Sequence, residues 1–567
     1  MLKKYNKSSL RATFLMIGLI GHSYSKAQNN DVGSVHGSFQ IDAQYYNPDS
    51  LIGAPKVPEK MLSNAFGIIN YQRGKFSAGI RYEAYNNVMQ GFDQRYKGQG
   101  ITNRFARYQD DLLDITVGSI YEQFGSGLIF RTYYEPGLLY DNSLDGIRVI
   151  SNPYKGITLK ALAGKQRSFF TVGPGIVRGV DGEININELL DSTANANIKT
   201  KVIIGGSFVS KNQPETDPDL IIPENVGAYG GRINVIRGGF NFFGEYVMKE
   251  NDPGLANSAV VNGKTIYSYK TGDAVFVSAS YATRGFSFLL QGKRIDNMSF
   301  RSDRDASLQN LMINYLPATT KQHTYLMPAY SPYATQPLGE VGGMAEMQFK
   351  IKKGSLLGGK YGTEVTINYS HANALSQIGV NDTTTHSTLY KTEYSQAGVD
   401  LYHDFFIEIN KKITKKWKAT IMLSNQFNNV NIVQHNTPKG PYKNIKSKIA
   451  VVDITYKYSS NAAIRFEAQG MLRDNKDTLN LGSWAVGMVE WTPNTHFFIA
   501  ALDQYNYGNP VENLRLHYFL VSAGYTSGPH RISFSYGKQR QGIFCVGGVC
   551  RVVPASNGVA ISITSSF

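Results

Sequence analysis

The sequence predicts an all-β fold. Its form is a single large antiparallel transmembrane β-barrel of about 24 strands (22–26), with short periplasmic turns and long extracellular loops. Three observations carry this expectation. Apolar and polar residues alternate with a period of two along most of the chain. No stretch beyond the N-terminal segment approaches the ~18–20 apolar residues that a membrane helix needs, so a closed barrel is the remaining way to span a bilayer. Short and long connections take turns between the strands, which a barrel with two unlike rims produces and a β-sandwich has no reason to show.

The N-terminus reads as an export signal. Lys3, Lys4, Lys7 and Arg11 form a basic stretch, "ATFLMIGLIG" (12–21) an apolar one, and Ser25 and Ala27 stand at the −3 and −1 positions of a cleavage point before Gln28. Residues 1–27 are therefore expected to be a signal peptide and 28–567 the barrel. This segment holds five Lys/Arg and no Asp/Glu, so its removal lowers the net charge from +15 to +10. Strand-like pattern begins by about residue 34, which leaves no room for a separate N-terminal plug domain.

The strands follow in order. "VGGMAEMQFKIK" sets Val341, Ala345, Met347, Phe349 and Ile351 against Glu346, Gln348, Lys350 and Lys352. "KWKATIMLSNQFN" sets Trp417, Ala419, Ile421, Leu423 and Phe427 against Lys418, Thr420, Ser424 and Gln426. "IAVVDITYKY", "AAIRFEAQG" and "RISFSYGKQR" alternate in the same way. Tight turns are expected at "QRGK" (72–75), "IRGG" (236–239), "ATRG" (282–285) and "SGPH" (527–530). Long loops are expected at 88–99, 125–142, 251–264, 300–340, 374–396 and 429–443. The stretch 165–225 has the weakest pattern.

The chain ends on "NGVAISITSSF", with Val559, Ile561, Ile563 and Phe567 on one face. This strand is expected to close the barrel against the first, with its odd-numbered side chains towards lipid. Phe567 fits the aromatic girdle, and it resembles the terminal aromatic signal read by the barrel-assembly machinery of Gram-negative bacteria.

Both cysteines lie in "CVGGVC". Gly547-Gly548 suits a two-residue hairpin turn, which makes Cys545 and Cys550 a directly opposed pair with Cα atoms about 4.5 Å apart. An exported protein sits in an oxidising space, so a disulfide is favoured. Free thiols, or a metal or redox site, are the alternatives.

Alternation points Arg81, Glu83, Arg148, Arg232, Lys293, Glu346, Lys350, Lys418, Arg465 and Glu467 inward. Facing lipid at midplane, such charges would cost roughly 2–4 kcal/mol each. Two readings of these residues stay open. One is a wide pore lined by them that favours anionic solutes. The other is an interior zipped shut by cross-strand ion pairs. Loop 125–142, with Arg131, Tyr133, Tyr134 and Glu135, is the candidate constriction; it reads as a solute grip, a plug or an ordinary surface loop. Loop 300–340 carries Tyr315, Tyr325, Tyr330 and Tyr333 and reads as a cap over the mouth or a partner surface.

Catalytic signals are weak. Ser370 and His371 are strand neighbours and point to opposite faces. Asp400, Asp404 and Glu408 are expected on one polar face, opposite basic residues such as Lys418, with His403 on the other. Glu215, Asp217 and Asp219 lack the spacing of an EF-hand. No enzyme, cofactor or metal is expected. Basic residues are spread over many strands, so nucleic-acid binding is not expected either.

The stretches "SIYEQFGSGLIFRTYYEPGLLYDNSLDGIRVI" (119–150) and "YGKQRQGIFCVGGVCRVVPASNGVAISITSSF" (536–567) resemble an uncharacterised, domain-of-unknown-function family of Bacteroidota outer-membrane β-barrels. The resemblance implies a barrel in the outer membrane and no particular substrate. Outer-membrane lipid and lipopolysaccharide, the assembly machinery during biogenesis, and proteins of a larger envelope complex are the partners expected of such a chain. The functions to weigh are a porin-like channel, a non-conducting scaffold or gate subunit, and a barrel-borne hydrolase.

Overall fold

The computed structural model describes residues 32–190, 199–215, 222–261, 264–306, 309–380, 387–434, 444–474, 482–546 and 549–567. The export segment lies outside them. Among the described residues, 24 antiparallel strands join into one closed sheet. Closure is direct. The first strand, Ser34–Tyr46, pairs on one side with Met61–Arg73 and on the other with Ser556–Ser566, in the register Ile41↔Ile563 and Tyr45↔Val559. Phe567 and Gly37 exchange backbone hydrogen bonds of 2.9 and 3.0 Å. No strand edge is left unpaired around the ring among the described residues, so outside the bulges the ladder groups pair within the wall.

The alternation sorts the two faces. Ile80, Ile147, Leu159, Val180, Phe208, Leu290, Leu423 and Val489 are all exposed on the outside. Tyr71, Phe76, Tyr154, Phe240, Tyr281, Trp417, Trp491 and Phe497 ring the outer wall beside the short turns, as an interfacial girdle does. Thr116, Asp181, Asn368, Ser370 and Gln426 occupy the alternate, inward positions and are buried.

The expected turns at 72–75, 236–239, 282–285 and 527–530 fall between paired strands. Gly74 and Gly238 adopt φ of 55° and 57°, a left-handed turn position where a side chain would be strained. The two-rim rhythm has exceptions. Ser168 and Thr171 are joined by only two residues on the long-loop rim. On the short-turn rim, a helix at Ile186–Leu190 and the segment 352–362 replace tight turns. The weakly patterned stretch 165–225 nevertheless forms wall, through Ile157–Ser168, Thr171–Asn185 and Thr200–Asn212. Its alternation was blurred by glycine-rich inward positions and by the bulge between Lys165 and Arg167.

One face assignment is corrected. Asp400 does not share the inward face of Asp404. The ladder slips between Tyr402 and Asp400, which inverts the parity beyond it, and Asp400 approaches the outward His371 (3.4 Å). The pairing of this row with Lys418 is also corrected: Glu408 stands opposite Met422, and Lys418 opposite Lys412.

Candidate functional site

The lumen is filled over its long-loop half by the chain's own loops. Segment 297–338 leaves strand Phe286–Asp296 and turns into the barrel. Its base is closed by Asn297 N–H to Leu338 O (3.2 Å) and Met298 N–H to Pro337 O (2.8 Å). It then meets the other inserted segment, 121–143. Arg131 N–H donates to Ile313 O (2.9 Å), Tyr315 N–H to Gly127 O (2.9 Å), and Asn314 Nδ2 to Leu128 O (3.2 Å). Asn142 Nδ2 and Gln166 Nε2 both donate to Met312 O, at 3.0 and 2.8 Å. Ile120, Phe124, Leu128, Ile129, Phe130, Met298, Phe300 and Ile313 form a buried apolar core with Val177, Val209, Val247 and Ile295 of the wall. These loops pack as a protein interior does.

Beyond residue 317 the chain crosses to the far wall. Lys321 pairs with Glu346 (2.7 Å), His323 with Asp404 (2.5 Å), and Tyr325 donates to Asp453 (3.1 Å). Met327 N–H donates to Gln469 Oε1 (2.8 Å). Tyr330 packs on the buried Trp484, ring centroids 5.5 Å apart. A second buried core gathers there from Met327, Tyr330, Phe406, Met422, Ile449, Val451, Met471 and Trp484.

Arg81, Glu83, Arg148, Lys293 and Glu346 of the predicted inward charges fasten this plug to the wall, whereas Arg232, Arg465 and Glu467 pair within the wall itself. Arg81 and Arg167 hold Glu83 and Asp141 in a buried square: Arg81–Glu83, Arg167–Glu83 and Arg167–Asp141 are each 2.7 Å, and Arg81 also contacts Asp141. Asp141 belongs to the inserted loop, so the square fastens loop to wall. Arg148 bridges Asp114 (2.9 Å) and Glu122 (3.2 Å), and Arg232 bridges Asp181 and Glu183 (both 2.8 Å). Lys293 meets Glu340 at 2.5 Å and donates to Pro317 O (2.6 Å). Arg465 lies between Asp453 (3.0 Å) and Glu467. Lys350 and Lys418 point the same way but stand exposed at the short-turn mouth.

The residues of loop 125–142 are engaged within the protein. The Arg131 guanidinium lies between the rings of Tyr133 (4.5 Å) and Tyr315 (4.1 Å), and Arg81 covers the ring of Tyr134 at 4.0 Å. Glu135 accepts from Gly137 N–H (3.1 Å). On loop 297–338, Tyr333 is buried and donates to Glu340 (2.6 Å), and burial beside that carboxylate pushes its phenol pKa well up.

The sequence reading did not find the apolar core inside the barrel. The signal was present: Met298, Phe300, Leu311, Met312, Ile313, Leu316 and Met327 are too apolar for a solvated loop. In Ser370 and His371 the predicted divergence holds, since Ser370 donates inward to Asn368 (3.0 Å) while His371 is outside. Asp404 takes both His323 and Ser424 (2.9 Å), so its histidine is not set between serine and carboxylate as a triad requires. Glu215 pairs with Arg304 (2.8 Å), whereas Asp217 and Asp219 lie outside the described residues. Cys545 and Cys550 form the expected disulfide across the pair Cys545↔Cys550, with Cα atoms 4.0 Å apart; the Gly547-Gly548 turn lies outside the described residues.

A cavity of about 630 Å³ remains beside strands Ser34–Tyr46, His530–Gln539 and Ser556–Ser566. Gln40, Asp42, Ser533 and Ser535 line it, with Phe92, Pro136, Gly137 and Arg551 over its long-loop end.

Comparison with known proteins gives a family and a set of distant structural matches. The P pilus usher PapC translocation pore is 9% identical, with 94% of this chain and 99% of that chain covered and a TM-score of 0.42. The siderophore receptor PirA from Pseudomonas aeruginosa is 8% identical, with 94% and 80% covered and a TM-score of 0.38. The outer membrane protein opdK from Pseudomonas aeruginosa is 12% identical, with 78% and 99% covered and a TM-score of 0.31. No curated protein sequence matches. The sequence model of the family of unknown function DUF6029 matches residues 5–567, and the chain belongs to that family.

Proposed function

We propose that this protein is a non-enzymatic outer-membrane barrel that is closed at rest and acts as a gate or scaffold subunit of a larger envelope assembly. The single observation that supports this reading is the path of 297–338. It runs from Met312 at the Gln166 wall to Tyr330 at the Trp484 wall, with ion pairs or hydrogen bonds to the wall along the way. An open porin keeps a polar, water-filled lumen; here two apolar cores occupy it. Opening requires a partner that binds the displaced loops better than the wall does, since a ligand shifts an equilibrium only by its differential affinity.

Planar-bilayer recording tests the proposal. The intact protein gives no steady conductance, and replacing 303–335 and 125–137 together with short Gly/Ser links gives large steps. Steady steps from the intact protein would refute closure at rest.

A porin-like channel is the second reading, and the cavity beside the closing strands favours it. Its polar wall and the loop residues over it describe a narrow side path for small solutes. If that path conducts, replacing Arg551 alone, whose guanidinium lies 4.0 Å from the Phe92 ring and donates to Gly137 O (3.1 Å), raises conductance without removal of the plug.

A further inference from the structure

In the sector of the outer wall formed by strands Gly98–Gln109, Leu144–Tyr154, Ile157–Ser168 and Thr171–Asn185, charges stand at positions where the alternation calls for apolar side chains. Arg104 stands opposite Ile80, which is exposed on the outside, while its neighbour Asn103 is buried inside. Asp145 stands opposite Lys165. Leu144 and Gln166, the next pair along, are fully buried and face the lumen, so Asp145 and Lys165 face out. Arg178 lies between the inward Val177 and Gly179 and shares its outward face with Val180. Because Lys165 is opposite Ile176, Arg178 is its diagonal neighbour, about 7–8 Å away.

The charges do not cancel. Asp145 is taken by Arg104 at 2.9 Å. Lys165 and Arg178 have no carboxylate partner among the described residues, and Arg178 is exposed. Three cations and one anion leave the patch with a surplus of two positive charges. On strands Phe240–Lys249 and Gly339–Ile351 the outward positions carry none of this: they read Phe240, Phe242, Gly244, Tyr246 and Val341, Gly343, Ala345, Met347. The height is informative. Arg178 stands opposite Ser210, directly above the apolar pair Val180↔Phe208, on the side away from the short turns. The patch therefore marks the upper edge of the apolar belt, where lipid headgroups lie.

We infer that Arg104, Lys165 and Arg178 form a binding site on the barrel's outer wall for the phosphate of an outer-leaflet glycolipid. This rests on the proposed outer-membrane setting with the long loops outward. Arg and Lys are suited to phosphate by forked donation and point charge, and partial desolvation beside the acyl belt strengthens the contact. The pair with Asp145, which stands opposite Lys165, draws the Arg104 guanidinium towards the strand of Lys165.

Native mass spectrometry of the detergent-purified, full-length barrel tests the site, with phosphorylated lipid A and the same lipid A after phosphatase treatment as probes. Phosphorylated lipid A is expected to be retained at least tenfold better than the dephosphorylated form. The double variant Lys165→Gln/Arg178→Gln is expected to lose that preference while keeping its heat-resistant gel mobility. Arg104→Gln serves as a second, independent reduction. Equal retention of the two lipids, an unchanged preference in the variants, stronger retention of phosphatidylglycerol, or a dimer mass lost in the double variant would each overturn the assignment. Failure of the membrane orientation shows separately, as labelling of the 352–362 turn from outside intact cells with lipid binding unchanged.

Discussion

At the long-loop end of the lumen, Lys293 and Glu340 meet at 2.5 Å with neither side chain exposed. At the short-turn end, Lys350 and Glu364 meet at 2.8 Å with 48% and 62% of their side chains in water. Both pairs lie on the inner face of neighbouring strands, and the same alternation puts them there. What separates them is the covering. Over Glu340 the plug supplies Tyr333 and Gln336, which donate to the same carboxylate at 2.6 Å each. Among the described residues, nothing comparable is packed over Glu364. The wall thus sets the direction of a side chain, and the loops set whether it is dry.

That contrast fixes the order of expected effects. Glu340→Gln leaves Lys293 buried without a counter-charge and is expected to lower stability by about 3–5 kcal/mol, read from thermal unfolding in detergent. Glu83→Gln is expected to act similarly on the Arg81–Arg167 square and to loosen loop 121–143, read as faster amide exchange there. Trp484→Ala removes a fully buried anchor of the far-wall core and is expected to cost about 3–5 kcal/mol. If any of these behaves like a surface change, the plug is not packed as described.

Smaller effects follow. Cys545→Ser opens a small loop and is expected to cost at most about 2 kcal/mol, confined to the hairpin 542–553. Glu364→Gln is expected to cost no more than about 1 kcal/mol, as exposed pairs do. The slightest effect concerns the turn at 110–112. The Tyr108 hydroxyl, the backbone N–H groups of Leu113 and Leu112, and Lys75 hold the Asp110 carboxyl down at about 2. A depressed carboxylate stabilises the turn fully above its unfolded value near 4 and loses that contribution as pH falls towards 2. Exchange of the Leu113 amide, which donates to Asp110 at 2.9 Å, is therefore expected to rise over that window. In Asp110→Asn the rise disappears.

Much of the wall was legible because a barrel strand repeats every two residues and every strand answers to the same two environments. Trp417, Ile421 and Leu423 read outward, and they are outward. The 24 strands and their closure through Val559, Ile561 and Ile563 follow from that rule. Reading failed where the period breaks, at the Tyr402/Asp400 slip, which moved Asp400 outside. The interior was less legible. Arg81, Glu83, Arg148 and Arg232 were assigned to the inner face, but their partners Asp141, Asp114 and Asp181 come from non-local register. Leu128, Phe130 and Met312 have no period, since they belong to irregular chain whose burial depends on walls more than a hundred residues away.

Thiol cross-linking in intact cells tests the filled lumen most directly. In a Cys545→Ser/Cys550→Ser background, Lys321→Cys with Glu346→Cys is expected to be joined rapidly and nearly completely by a short bifunctional methanethiosulfonate, whose spacer replaces the two long side chains that meet at 2.7 Å on plug and wall. Lys321→Cys with the distant Ser533→Cys is expected to remain free. Equal, slow cross-linking of both pairs would contradict the account, because a loop held against one wall cannot sample both.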